Sequence, residues 1–62
     1  MQTITEIYLD LATEFMKLCN AGKSDCDRVK ELEKEMAEHW NKMTEQEKLY
    51  VDEQTIRISQ WL

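Results

Sequence analysis

Apolar residues return every three or four positions along this chain, and polar residues fill the positions between them. At about 100° per residue that spacing gathers the apolar side chains onto one side of a helix. Ile4, Ile7, Tyr8, Leu11, Phe15 and Leu18 form the first stripe, with Leu9 and Met16 on its flank and Thr5 and Ala12 filling the gap. The resulting arc is roughly 200° wide, about twice that of a helix with one buried side, so this helix is expected to have two neighbours. Thr3, followed three residues later by Glu6, is a capping box that starts it. Asn20-Ala21-Gly22 ends it, with Gly22 free to take the left-handed conformation of a helix C′ position.

A second stripe follows after a short connection. Cys26, Val29, Leu32, Met36, Trp40 and Met43 share one side, Ala37 and His39 lie at its edges, and Lys30, Glu31, Lys34, Glu35, Glu38 and Lys42 cover the other. Ser24 is the expected start, with Asp25 and Asp27 complementing the positive end of the helix dipole. So short a connection makes the two helices antiparallel neighbours.

The stretch from Glu38 to Tyr50 decides the shape of the molecule. Thr44-Glu45-Gln46-Glu47 is a second capping box, which announces a new helix. Yet Tyr50, Val51, Ile58, Trp61 and Leu62 stay in phase with Val29 and Met36, as they would on one uninterrupted helix. Such a helix would be about 54 Å long, and the first helix, at about 26 Å, would cover only half of it. The capping box favours a break. The expected fold is therefore all-α and a single domain spanning residues 1–62: an antiparallel helical hairpin plus a C-terminal third helix, with a short helix on one long helix as the alternative. Trp40-x-x-Met43-Thr44-x-x-Glu47 resembles a W-x-x-[LM]-[ST]-x-x-E segment of small, mostly uncharacterised helical proteins of bacteria and their phages. The resemblance covers about a dozen residues. It implies a helix junction here and a microbial or phage origin, and no activity.

Composition agrees with helices: among 62 residues there is no Pro and one Gly. A net charge of −5 without a basic run argues against direct nucleic-acid binding. With no long apolar run and no signal-peptide pattern, no membrane association is expected, and the cytoplasm (of a host cell, for a phage protein) is the expected location. Cys19 and Cys26 lie near the facing ends of the hairpin. A disulfide is feasible there, but nothing points to export, so reduced thiols are expected. With His39 they match no zinc-site spacing, and no cofactor is expected. No Gly-rich phosphate loop and no nucleophile–base arrangement appears, and the carboxylates sit on a solvated face, so the chain is not expected to be an enzyme.

The function expected instead is protein–protein interaction: an adaptor or small inhibitor that docks sterically on a host protein and also associates with itself as a dimer or larger oligomer. Leu49 and Ile56, seven apart, lie roughly opposite the Tyr50/Ile58 side, so the last helix carries apolar residues on two sides. Leu9, Met16, Leu49, Ile56, Ile58, Trp61 and Leu62 are the expected interface residues, Trp61 foremost. Two other readings belong to different classes. A ligand-sequestering oligomer would gather Tyr8, His39, Trp40 and Tyr50 around an inter-chain pocket. An acidic nucleic-acid mimic would join Glu31, Glu35, Glu38, Glu45 and Asp52 into one surface.

Overall fold

The computed structural model describes residues 2–61. Three helices account for most of them: α1 over Ile4–Asn20, α2 over Asp27–Lys42 and α3 over Glu45–Trp61. No strand occurs among the described residues. The hairpin and the third helix are both present. The longest dimension is 32 Å, far short of the span of an unbroken second helix, so the alternative arrangement is not adopted.

The break lies at Met43 and Thr44. Met43 leaves the helix with φ −83° and ψ 149°, and its amide closes the last turn onto the Trp40 carbonyl at 3.1 Å. Both halves of the capping box form. The Glu47 amide donates to Thr44 Oγ1 at 3.2 Å, and the Thr44 amide donates to Glu47 Oε1 at 2.9 Å. Two amides that the helix start leaves without backbone partners are thereby satisfied. Met43 stays buried while its backbone turns, so the corner is filled by an apolar side chain.

Gly22 behaves as the sequence indicates. At φ 75° it lets the Lys23 amide reach the Leu18 carbonyl at 2.9 Å, and its own amide bonds to Cys19 at 3.1 Å. This pair of bonds is the Schellman closure of α1. The start of α2 differs from expectation. Residues after Gly22 form a further turn, in which the Cys26 amide donates to the Lys23 carbonyl at 3.2 Å. That bond commits the backbone ahead of Cys26 to the turn, so Ser24 does not cap the helix. Cys26 holds the N-cap position, with no side-chain hydrogen bond, and Asp27 opens α2. At α1, the Glu6 amide donates to Thr3 Oγ1 at 3.3 Å, and the Thr3 and Thr5 hydroxyls share a hydrogen bond. Only this half of the first capping box forms.

α1 packs against both α2 and α3, whereas α2 and α3 make little contact with each other. The two neighbours that the width of α1 calls for therefore both come from the same chain. Ala12, Val29, Leu32, Met43 and Val51 form the core, drawn from all three helices and the corner. Ala12 is the buried residue that α1 contributes, alongside the larger Val29, Leu32 and Val51 of its two neighbours. The antiparallel course of the hairpin is fixed by pairs that run in opposite directions. Tyr8, early in α1, meets Trp40, late in α2. Glu14, later in α1, is held in bidentate fashion by Arg28, at the start of α2, which also reaches Glu31 at 3.2 Å.

A core of this size supports only about 3–5 kcal/mol of net stability, while a buried Leu→Ala change costs about 2–5 kcal/mol. Leu32→Ala is therefore expected to leave much of the chain unfolded at 25 °C by circular dichroism. Leu49→Ala, on the surface, should shift stability by no more than about 0.5 kcal/mol. Thr44→Ala is expected to cost about 1 kcal/mol in urea unfolding, the usual value of an N-cap hydroxyl.

Candidate functional site

Aromatic, apolar and charged groups converge at the outer corner between α2 and α3. Lys48 and Leu49 lie three and four residues after Glu45, and four and three before Asp52, which puts the four on one side of α3. The break turns α3 so that this side faces Trp40, in the last turn of α2. Trp40, Glu45, Lys48, Leu49 and Asp52 together line an open groove of about 320 Å³.

Trp40 forms its floor and is held from two directions. The Tyr8 ring packs against it with centroids 5.8 Å apart and planes inclined by 42°, a separation at which aromatic rings attract. Lys48 Nζ lies 5.5 Å from the Trp40 ring centroid, within cation–π range. Lys48 spends its charge on this ring, since it makes no ion pair with either neighbouring carboxylate. Among the described residues Glu45 and Asp52 have no ion-pair partner, whereas Glu14, Glu31 and Glu53 are paired with arginines.

Burial and, second to it, the negative charge of Asp52 push the Tyr8 phenol above its ordinary pKa. Tyr8 thus ties the groove to the interior, reaching Trp40 of α2 and sensing Asp52 of α3. At Glu14, nearer the connection of the hairpin, the hydrogen bond from Arg28 holds the carboxyl below its ordinary value.

The residues singled out from the sequence are distributed unevenly. Leu49, Ile56 and Trp61 are exposed, at 71%, 56% and 89%, and Tyr50 is half exposed. Leu9, Met16 and Ile58 are half-buried. Leu62 lies outside the described residues. Of the four residues assigned to a shared pocket, Tyr8 and Trp40 meet within one chain. His39 is half-buried, and Tyr50 lies about 160° around α3 from Lys48, away from the groove. The acidic residues are divided between two places: Glu31, Glu35 and Glu38, with Lys34, line a separate depression on α2, and Glu45 and Asp52 line the groove. Both cysteines carry free thiols and are half-buried. No group of three potential metal ligands occurs among the described residues, and no helix is long and apolar enough to cross a membrane.

Lys48 is the groove residue that the sequence does not single out. Its spacing from Glu45 and Asp52 is visible in the sequence, but its approach to Trp40 depends on the break and the turn that follows. The Arg28–Glu14 bridge likewise depends on the register of the hairpin. Comparison with known protein families, with curated proteins and with solved structures gives no match to this chain.

Because the Tyr8 pKa is raised in the folded state, the folded chain holds this proton more tightly than the unfolded one. The resulting stability is fully present below pH 10, the ordinary phenol value, and is lost as pH rises through the folded value. Thermal unfolding followed between pH 8 and pH 11 should show native stability falling above about pH 10 more steeply than that of Tyr8→Phe.

Proposed function

We propose that this chain is a small protein-interaction module, an adaptor or inhibitor that works by covering a surface of another protein. The observation that carries the reading is the exposure of Leu49, Tyr50, Ile56 and Trp61 on one helix, when the same chain buries so few large side chains. Large apolar residues grouped on a small protein's surface mark places where other chains bind. Among the described residues no polar or charged side chain is buried, whereas acid–base chemistry demands an enclosed, water-poor setting, which favours binding.

The exposed residues of α3 fall into two sets. Leu49 and Ile56 lie within about 20° of each other, as do Tyr50 and Trp61, and the two sets are about 120° apart around the helix. Half-buried Ile58 lies beside the second set. In this reading the Leu49/Ile56 side docks on the partner, and the Tyr50/Ile58/Trp61 side carries self-association. The excess of acidic residues gives orientation and speeds encounter, while the apolar side chains supply the affinity.

Light scattering over a concentration series under reducing conditions tests the reading. The native chain should exceed its monomer mass of 7.5 kDa. Trp61→Ser should return it to the monomer, and Leu49→Ser/Ile56→Ser should not. Cross-linking in lysate should yield an adduct with the native chain that the Leu49→Ser/Ile56→Ser variant loses. A monomer at every concentration, with no adduct sensitive to those two positions, would falsify the reading.

A further inference from the structure

The groove between Trp40 and α3 has a chemistry of its own, and it narrows the kind of partner that fits. Its lining is mostly apolar, with Trp40 and Leu49, and also includes Glu45 and Asp52. These carboxylates lie seven residues apart on one helix, about 10 Å along its axis. Neither has an ion-pair partner among the described residues. Ile56, one further seven-residue step from Leu49, extends the apolar line beyond the groove and is exposed. Lys48, the one cation at the groove, is held over the Trp40 ring.

Resting on the interaction reading above, we infer that this groove receives a basic amphipathic helix of a partner protein. One apolar side chain of that helix would seat against Trp40 and Leu49, with lysines or arginines on the same helix reaching Glu45 and Asp52.

Three features select this occupant. The groove holds about 320 Å³, roughly the volume of ten waters, which suits one bulky side chain and the stem of a basic one. It is open along its length and has no far wall, so a small molecule would remain largely in water. An incoming helix brings that second wall with it and needs no free strand edge on this protein. A second copy of this chain fits poorly. Each copy has a net charge of −5, and a two-fold pairing across the groove would bring Glu45 and Asp52 against their own equivalents. The cation over Trp40 points the same way. The ring already accepts a positive charge from Lys48, and the guanidinium of an incoming arginine is a group of the same type.

The test uses the full chain and two synthetic helical peptides with the same leucine positions. One carries lysines seven residues apart beside the leucines, and the other carries glutamates at those places. The Trp40 indole N–H and the Leu49 methyl groups are followed by NMR as each peptide is added. The basic peptide should shift both sets of signals. Its affinity should fall roughly ten-fold in Glu45→Gln/Asp52→Asn and also as salt is raised from about 50 to about 500 mM. Both substituted side chains are exposed, and circular dichroism should confirm that the variant remains folded.

The inference is overturned if the basic peptide leaves the Trp40 and Leu49 signals unmoved. Equal binding of the acidic peptide, or undiminished binding of the basic peptide to the charge-neutral variant, also overturns it. So does movement of the same signals on raising the protein's own concentration, which would put a second copy in the groove. If the charge preference fails while light scattering and cross-linking behave as expected, the assignment of a basic partner falls and the interaction module stands. Failure of all three removes both.

Discussion

The corner at Met43 and Thr44 is the constraint on which this molecule depends. The apolar stripe of α2 continues in phase into α3, so periodicity alone would allow the chain to run straight on. Two hydrogen bonds between Thr44 and Glu47 stabilise a new helix start, and Met43 fills the corner from inside. The turn shortens the molecule to 32 Å and brings α3 alongside α1. It also carries Trp40 to the base of α3, where it becomes the floor of the groove. Fold and candidate site thus share one cause, and Glu47 serves the backbone by capping α3.

The second organising feature is the width of α1. A helix with apolar residues over more than half its circumference needs cover on two sides, and here α2 and α3 supply it. Leu9 and Met16 are consequently half-buried, and the fully outward apolar residues are concentrated on α3. α1 provides the wall that the others share, and α3 carries the large apolar side chains left outside.

The sequence reveals most of this where local chemistry is strong. Gly22 and the Thr44/Glu47 pair are read correctly because each solves a backbone problem with residues close in sequence. Ser24 misleads because a hydroxyl ahead of a helix is only an option. The turn that follows Gly22, closed by Cys26 onto Lys23, moves the start of α2 to Asp27. The Trp40–Lys48 and Tyr8–Trp40 contacts are not legible in advance. They depend on the angle at the corner and on the register between α1 and α2, neither of which a periodic pattern contains. The residue types in the groove are visible from the sequence, and their meeting is not.

The shared wall has a consequence for how the chain folds. α1 and α2 are joined through residues 21–26, so their pairing closes a short loop at low entropic cost. α3 has little surface on α2 and must find α1, which lies more than forty positions back where Asp52 acts on Tyr8. Loop-closure entropy favours pairing of α1 with α2 before α3 docks, so we expect the hairpin to assemble first. The same order in reverse makes release of α3 the cheapest partial opening of the native state. The helix that carries the exposed large apolar residues would then be the one released most cheaply. A partner that grips α3 in its docked position would stabilise the whole protein by mass action, so binding and the last step of folding draw on the same free energy.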